Sequence, residues 1–312
     1  MSGRILLSAT GIDLARWQSL LSGGREVVLA PDGPDDASID YAVVWKQPQG
    51  VLSHLPNLKA IFSVGAGVDH LLADPTLPDV PIVRVVADNL TAHMVDYVVW
   101  RVMDHHRQGI AYRDNQARKL WREPPQPPSS QITVGMMGLG ELGRAAAQAL
   151  GTIGFRLTGW SRTGRHIAGI TCFHGADGLP EFLAATDILV VLLPLTPDTR
   201  GIVDYALLRG LRRDNALGGA VLINAGRGGL QKEADILRAL EDGTLKEASL
   251  DVFESEPLPS ASPLWTHPRV VATPHAAATS DPAHLAPAML AQMDAFDRGE
   301  PLRNVVDRTA GY

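Results

Sequence analysis

Three side chains that could act together on a small anion follow three separate apolar runs of the sequence. Arg227 comes after AVLINAG, Glu256 after EASLDVF, and His275 after RVVATP. Because ligands bind beyond the carboxyl ends of parallel strands, we expect these three groups at one edge of a sheet. A guanidinium can bind a carboxylate and polarise a carbonyl oxygen, and an imidazole can transfer a proton. The carboxylate can orient the imidazole and favour its protonated state.

A glycine-rich loop has the spacing that binds dinucleotides. Gly138, Gly140 and Gly143 form G-x-G-x-x-G in GLGELG, after a predicted strand and before a predicted helix. The first glycine permits a tight turn, the second lets a pyrophosphate approach the backbone, and the third lets helix pack on strand. Free amides at the start of the helix would bind the phosphates. The alternative is a turn without a ligand.

The end of the next predicted strand indicates which nicotinamide cofactor binds. NAD-binding proteins place an acid there, but GWSRTGR has Ser161, followed by Arg162, Thr163 and Arg165. A carboxylate would repel a 2′-phosphate, whereas a serine and two arginines would attract it. The sequence therefore predicts NADPH (NADP) in preference to NADH. The alternative is that these arginines lie on a solvated loop.

With a nicotinamide bound at the same edge, the three side chains suit the reduction of a 2-oxo acid. Arg227 would bind the substrate carboxylate, and His275 would donate a proton as hydride reaches the carbonyl carbon. Each also has a structural interpretation. Arg227 could cap a helix C-terminus or pair with a structural acid, Glu256 could be a solvated loop carboxylate, and His275 could bond to backbone at a strand end. Their occurrence together behind a dinucleotide loop favours the chemical interpretation.

Short apolar runs that alternate with helical patterns must position these residues. The runs are RILLS, EVVLA, YAVVW, LKAIFSVGAG and VPIVRVV, then ITVGMMGLGELG, FRLTGW, DILVVLLP, AVLINAG, EASLDVF and RVVATPH. They predict an α/β protein of two Rossmann-like or flavodoxin-like doubly wound parallel-sheet domains, with an active-site cleft between them.

The predicted domains share a long helix and a proline-rich connector. One helix is predicted over about 91–121, and REPPQPPSSQ, with four prolines, then marks the entry to the second sheet. A last helix after Pro282 is expected to pack back on the first domain. The predicted outer, substrate-binding domain is therefore discontinuous, 1–95 plus 284–312, and the dinucleotide-binding domain is 96–283.

Composition limits the classes of function. The 312 residues suit two domains, and a net charge of −6 without a basic block gives little support to nucleic acid or a membrane as partner. The single cysteine, Cys172, excludes an internal disulfide and a multi-cysteine metal site. His105 and His106 point different ways on a helix, so we predict surface or interface residues and no metal. Without a signal peptide or membrane-length apolar stretch, a soluble cytoplasmic protein is expected.

Longer motifs resemble those of the D-2-hydroxyacid dehydrogenase family. GLGELG, LLPLTPDTRG, LINAGRG, DVFESEPLPSASPLW and TPHAA carry this resemblance from about residue 132 to residue 277. The pair Ser161–Arg162, with YAVVWKQP, GAGVDHLL and VVDRTAGY, resembles the glyoxylate/hydroxypyruvate reductase branch. The resemblance implies NADPH-dependent reduction of glyoxylate to glycolate and of hydroxypyruvate to D-glycerate. It also implies a homodimer whose contact uses the long helix after Thr91.

The resemblance assigns roles to individual positions. Arg227 matches the substrate-binding catalytic arginine, Glu256 the carboxylate that supports the histidine, and His275 the proton donor. The backbone amides of Ala66 and Gly67 in VGAGVD would bind the substrate carboxylate, unless this is an ordinary strand-to-helix turn. The substrate-binding set is Trp45, Ala66, Gly67, Arg227 and His275. The cofactor-binding set is Gly138, Leu139, Gly140, Glu141, Leu142, Gly143, Ser161, Arg162, Thr163, Arg165, Leu193, Pro194, Thr199, Ala225, Gly226, Asp251 and Ala277.

Several interpretations stay open from the sequence. Trp45 is either a wall of the substrate pocket that favours small oxo acids or a core aromatic, and Thr199 either lines the cofactor site or caps a helix. TAHMV, at 91–95, departs from the smaller residues of many relatives, which leaves the preferred substrate open. The rival functions are a 2-hydroxyacid dehydrogenase of another substrate, such as phosphoglycerate, and a non-catalytic NAD(P)-sensing protein. The short tail argues against the first rival, and the intact Arg–Glu–His set argues against the second.

Overall fold

A computed structural model describes residues 3–29, 37–84, 88–279, 281–309 and 311. The chain divides into two compact units, Met1–Leu90 with Thr279–Tyr312 (the first unit) and Thr91–Ala278 (the second unit). The units meet at 90/91 and at 278/279. Each of these junctions lies five residues before the predicted one, which was at 95/96 or 283/284. The first observed junction precedes the predicted one because Met94 packs into the core of the second unit.

The first unit is built on a five-stranded parallel sheet in the order β2-β1-β3-β4-β5. The elements are β1 (Arg4–Ala9), α1 (Leu14–Leu21), β2 (Val27–Leu29), β3 (Ile39–Trp45), β4 (Ala60–Ser63), α2 (Asp69–Leu72) and β5 (Ile82–Val83). This is the flavodoxin-like order, with its switch point at β1 and β3. The ends of two predicted runs, Ala30 and 85–86, lie outside the described residues.

The second unit is built on a seven-stranded sheet in the order β12-β11-β10-β9-β6-β7-β8, again all parallel. Its elements are all but the first three residues of α3 (Asp88–His106), then α4 (Gly109–Ala117), β6 (Thr133–Met137), α5 (Glu141–Ile153), β7 (Arg156–Ser161), β8 (Thr171–His174), α6 (Gly175–Ala184), β9 (Ile188–Val191), α7 (Tyr205–Gly210), β10 (Val221–Asn224), α8 (Glu233–Glu241), β11 (Glu247–Leu250) and β12 (Val270–Ala272). The strand order reverses at β6 and β9, where a Rossmann-like sheet binds its ligand. The predicted fold class, two doubly wound parallel-sheet domains, is confirmed.

Strand β8 is absent from the sequence prediction. It pairs in parallel with β7, so that Ser161 and His174 are partners in register. As the edge strand of the sheet it is only partly buried, and its residues TCFH therefore form no apolar run. The ends of β7 and β8 consequently lie side by side.

The predicted single helix over about 91–121 is wrong. The chain forms α3 and α4, and the break occurs at Gln108, whose φ of 61° lies in the left-handed region. The Gln108 side chain accepts a hydrogen bond of 2.7 Å from Lys246 Nζ, which stabilises the break. The proline-rich segment lies within the second unit, where His106 Nε2 is 2.8 Å from the Pro127 carbonyl oxygen.

The prediction that His105 and His106 are surface or interface residues is also wrong, because within the single chain they are only 1% and 4% exposed. His105 Nδ1 lies 2.6 Å from Glu247 Oε2, and its Nε2 lies 2.8 Å from Ser249 Oγ. Residues two apart on a strand share one face, so β11 presents both partners to α3. The missed signal was an acid and a serine two apart in a buried strand, since buried polar groups require partners.

The last helix, α9 (Pro282–Asp297), belongs to the first unit. Its final residue, Asp297, accepts hydrogen bonds from Tyr41 Oη at 2.7 Å, Arg25 Nη2 at 2.6 Å and Lys59 Nζ at 3.1 Å. Burial alone would raise the pKa of Asp297, but these hydrogen bonds outweigh it and lower the pKa to about 2. The carboxylate therefore fixes the end of α9 to the sheet of the first unit.

Asp297→Asn is expected to destabilise the first unit by about 2 kcal/mol at neutral pH, because three donors lose a charged acceptor. Since the folded pKa is depressed, this stabilisation is present above the unfolded pKa of about 4 and is lost as the pH falls toward about 2. Urea unfolding should therefore show a smaller difference between wild type and variant at about pH 3 than at about pH 7. Asp294→Asn, at a more exposed partner of Arg25, is the control with a smaller effect. Equal losses at both pH values would contradict this assignment.

Candidate active site

His275 and Glu256 form a partly exposed pair in the second unit. His275 Nδ1 lies 2.8 Å from Glu256 Oε2, and the other carboxylate oxygen accepts a hydrogen bond of 3.2 Å from the Phe253 amide. The carboxylate thus has a fixed orientation and holds one ring nitrogen. The remaining nitrogen, Nε2, is the atom that can exchange a proton with a ligand.

The backbone at His275 adopts a left-handed conformation, with φ of 53°. The Asp251 carboxylate, which is 1% exposed, accepts hydrogen bonds from Thr273 Oγ1 at 2.6 Å and from the Ala276 and Ala277 amides at 2.9 Å. The Asp251 carbonyl accepts from the His275 amide at 2.8 Å. Strained backbone persists only where its surroundings fix it, and here Asp251 does so.

Asp251 was included in the predicted cofactor-binding set, but its carboxylate is bonded within the protein. Burial raises the pKa of Asp251 above its usual range, although its hydrogen-bond donors act in the opposite direction. These hydrogen bonds join Asp251 to the segment that carries His275, and we expect them to position that segment. The sequence alone did not indicate this function, because the donors come from a strand end more than twenty residues away.

Asp251→Asn is expected to lower kcat about 10-fold or more, because an amide cannot accept from all three donors and the His275 segment loosens. The dissociation constant of NADPH should change by no more than about two-fold, since the hydrogen bonds lost lie within the protein. Steady-state kinetics and cofactor titration measure the two effects. Asp214→Asn, at an exposed position, is the control. A loss confined to cofactor binding would contradict the positioning function.

Arg227 lies at the end of β10, next to the segment that carries Glu256. A Cβ on Gly228 would lie 1.7 Å from the Phe253 carbonyl oxygen, so only glycine allows this approach. The Arg227 guanidinium donates to the Gly226 carbonyl at 2.8 Å. Arg227 and Glu256 are therefore carried by two loop segments in direct contact.

Two buried amides that the sequence analysis did not identify join these loops. Asn224 Nδ2 donates to Gln231 Oε1 at 2.7 Å, and Gln231 Nε2 donates to the Val252 carbonyl at 2.9 Å. The Asn224 carbonyl also accepts from the Asp251 amide. A polar residue at the end of an apolar strand was the available signal, since a buried amide needs hydrogen-bond partners.

The glycines of GLGELG are required for different reasons. Gly138 has φ of 115°, and a Cβ there would lie 2.7 Å from the Leu192 carbonyl oxygen. A Cβ on Gly143 would lie 2.0 Å from the Gly138 carbonyl oxygen, so the third glycine lets α5 approach the loop. A Cβ on Gly140 would meet nothing within 4 Å. The open space at Gly140, before the first turn of α5, fits the approach of a pyrophosphate.

The other residues of this loop have mixed environments. The Leu139 side chain is buried against Gly159, so only its backbone could meet a ligand. Glu141 is exposed and forms an ion pair with Arg144, and Leu142 packs against the core. The loop therefore offers a ligand mainly backbone groups.

The end of β7 and the loop that follows it carry the predicted cofactor-selecting residues. Ser161 is buried, and its hydroxyl donates to the Thr163 carbonyl at 2.8 Å, which fixes the turn. Arg162, Thr163 and Arg165 are exposed. The loop that follows β7, where a Rossmann-like sheet holds the ribose of its dinucleotide, therefore carries two exposed arginines.

The remaining members of the predicted cofactor set follow β9, β10 and β12, at the same edge of the sheet. They are Leu193, Pro194, Thr199, Ala225, Gly226 and Ala277. The Thr199 hydroxyl donates to the Pro194 carbonyl at 2.7 Å and accepts from the Thr196 amide at 2.8 Å. Thr199 thus closes the loop after β9 rather than capping a helix.

In the first unit, Trp45 ends β3 and is partly buried. A Cβ on Gly65 would lie 2.1 Å from Trp45 Cζ3, so the indole requires a glycine there, and the His70 ring packs edge-on at 4.8 Å between centroids. Ala66 and Gly67 follow in a bend before α2. Within the described residues, neither of their amides donates to a backbone carbonyl. These amides are therefore suited to bind an anion.

Two classes of site are absent from the part of the chain that the structure describes. No three histidine, cysteine, aspartate or glutamate side chains form a group that could hold a metal ion. No helix there has the length and apolar character needed to cross a bilayer.

The geometry agrees with comparisons to known proteins. Residues 99–277 match the D-isomer specific 2-hydroxyacid dehydrogenase, NAD binding domain. The glyoxylate/hydroxypyruvate reductase A of Yersinia enterocolitica is 38% identical over 284 residues, which are 89% of each chain. The protein of that name from Serratia proteamaculans is also 38% identical, with the same coverage.

Solved structures are similar over almost the whole length. The NADPH-dependent glyoxylate/hydroxypyruvate reductase of Sinorhizobium meliloti, in complex with NADP and sulfate, is 46% identical, with a TM-score of 0.94 over 99% of this chain and 100% of that one. A D-isomer specific 2-hydroxyacid dehydrogenase from Xanthobacter autotrophicus Py2, in complex with NADPH and MES, is 40% identical, with a TM-score of 0.93 over all of both chains. The chain therefore belongs to the D-isomer specific 2-hydroxyacid dehydrogenase family.

Proposed function

We propose that this protein reduces small 2-oxo acids with NADPH, glyoxylate to glycolate and hydroxypyruvate to D-glycerate. The observation that carries the proposal is the His275–Glu256 pair, held by Asp251 at the ligand-binding edge of a dinucleotide-binding sheet. The name of the Sinorhizobium meliloti relative, at 46% identity, supports both the substrate class and the cofactor.

Each residue of the set has a separate task. Arg227 binds the substrate carboxylate and polarises the keto oxygen. His275 donates a proton from Nε2 to that oxygen, and Glu256 keeps the imidazole oriented through Nδ1. The bound reduced nicotinamide supplies the hydride. General acid catalysis of this kind accelerates a reaction by about 100- to 10,000-fold.

The predicted substrate-binding residues Trp45, Ala66 and Gly67 also enter the proposal. The Ala66 and Gly67 amides add hydrogen bonds to the substrate carboxylate, and the bulk of Trp45 favours small oxo acids. The support is that these amides make no backbone hydrogen bond within the described residues. Trp45 is supported by its fixed position against Gly65 and His70.

Mixing the protein with NADPH and glyoxylate, and following the absorbance of the reduced cofactor, tests the proposal. We expect turnover with glyoxylate and hydroxypyruvate and little with the oxo acid derived from phosphoglycerate. Binding of NADPH without turnover of any 2-oxo acid would overturn the proposal and favour a sensor of the nucleotide.

Arg162→Ala is expected to weaken NADPH binding about 10-fold or more and to change NADH binding by no more than about two-fold, because only NADPH carries the 2′-phosphate. Titration with each reduced nucleotide measures the two dissociation constants. Arg118→Ala, at an exposed arginine that follows α4, is the matched control and should change neither. Equal weakening of both nucleotides would count against the phosphate assignment.

We also propose a homodimer whose contact uses α3 and the residues after it. The support is a group of exposed apolar side chains there, Trp100, Tyr112, Leu120 and Trp121, with Trp100 54% exposed. Exposed aromatic side chains of this size are typical of interfaces. Light scattering should give the mass of two chains, and a monomer at micromolar concentration would overturn this part of the proposal.

A further inference from the structure

The strand that the sequence does not predict, β8, brings a histidine to the loop after β7. His174 is the last residue of β8 and pairs in register with Ser161. Neighbouring strands lie about 4.8 Å apart, so the two side chains begin at adjacent points on the edge of the sheet. Ser161 occupies the position where this fold reads the ribose 2′ substituent.

The His174 imidazole also packs on the arginine-containing loop itself. A Cβ built on Gly164 would have its three nearest atoms in this ring, with Cγ and Nδ1 at 3.7 Å. Gly164 lies between Thr163 and Arg165, so the ring covers the middle of the loop. The imidazole therefore lies within van der Waals reach of position 164 in the loop.

Neighbouring residues fix the position of His174. Its ring nitrogens do not cap the helix that follows. Trp160 Nε1 donates to the Gly175 carbonyl at 2.8 Å, which fixes the junction of β8 and α6. His174 precedes α6, but its side chain makes no hydrogen bond that caps the helix. The residue is exposed, so a bound ligand can reach its ring.

We propose that His174 is a cofactor-selecting residue whose imidazole donates a hydrogen bond to the 2′-phosphate of NADPH, beside Arg162 and Arg165. This inference rests on the proposed function, in which those arginines attract the same phosphate. An N–H donor from the end of β8 adds a further charge-assisted hydrogen bond to those of the two guanidinium groups. NADH has only a hydroxyl at this position and gains little from the additional donor.

Binding measurements with His174→Phe test the inference. Phenylalanine keeps an aromatic ring against Gly164 but removes both ring nitrogens, so the loop retains its packing. Fluorescence titration of the full-length protein should show NADPH and 2′,5′-ADP bound about 5- to 10-fold more weakly, with NADH changed by no more than about two-fold. His174→Gln, which retains an N–H donor, should recover part of the loss.

A second histidine of the same loop provides the matched control. His166 is also exposed, but its ring is not among the atoms nearest to Gly164, so His166→Phe should leave the NADPH-to-NADH ratio unchanged. Equal weakening of NADPH and NADH by His174→Phe would overturn the inference, because it would place the ring on the adenine. An unchanged ratio would overturn it as well. Because the readout is binding, absence of oxo-acid turnover would contradict the proposed reaction and leave this test intact.

Discussion

His275→Ala is expected to lower kcat about 1,000-fold or more and to leave the dissociation constant of NADPH within about two-fold of wild type. The substitution removes the proposed proton donor, while the glycine loop and the arginines after β7 keep their positions. The residue lies in a strained segment whose fold depends on Asp251 rather than on the imidazole. Single-turnover kinetics with glyoxylate and a fluorescence titration of NADPH measure the two quantities.

Glu256→Gln is the comparison variant, for which we expect a smaller loss of kcat than for His275→Ala. The amide can still hold the imidazole at Nδ1 but carries no charge, so we expect a smaller loss, about 10- to 100-fold in kcat. Turnover by His275→Ala close to that of wild type would remove the imidazole from the chemistry. It would leave the His275–Glu256 pair with a structural function only.

Arg227→Gln is expected to lower kcat/KM for glyoxylate about 1,000-fold, with effects on both kcat and KM. The guanidinium is proposed to contact the substrate twice, at the carboxylate and at the keto oxygen on which negative charge develops. Loss of the first contact weakens substrate binding, and loss of the second destabilises the transition state. Initial rates over a range of glyoxylate concentrations separate the two effects.

Arg227→Lys tests whether charge alone is sufficient. An ammonium group cannot make the two parallel hydrogen bonds of a guanidinium, so we expect only partial recovery relative to Arg227→Gln. A KM effect without any change in kcat would restrict Arg227 to binding the carboxylate. An unchanged kcat/KM for Arg227→Gln would contradict the proposed contact, and an unchanged kcat/KM for Arg227→Lys would show that charge alone is sufficient.

Apolar periodicity predicted eleven of the twelve strands that the described residues form, because buried parallel strands read as continuous apolar runs. It missed β8, an edge strand with only partial burial. The break between α3 and α4 was also missed, because left-handed Gln108 depends on a bond from Lys246, which is distant in sequence. Both β8 and the helix break at Gln108 depend on tertiary contacts, which a local sequence pattern does not reveal.

The residues of the candidate site also fall into those that the sequence indicated and those that it did not. The sequence indicated Arg227, Glu256 and His275, because charged residues after apolar runs stand out, and the structure brings the last two within hydrogen-bond distance. It did not indicate the positioning function of Asp251 or that of the amides joining the loops. Those depend on donors and acceptors supplied by other strands.

The attachment of α9 through Asp297 has a consequence for biosynthesis. The sheet of the first unit precedes the second unit in the chain, whereas the helix bonded to it follows the second unit. The second unit is continuous and is completely translated before α9 leaves the ribosome. Because domains generally fold as units during synthesis, nascent chains should mature from the middle outward, with the amino-terminal strands awaiting the last segment.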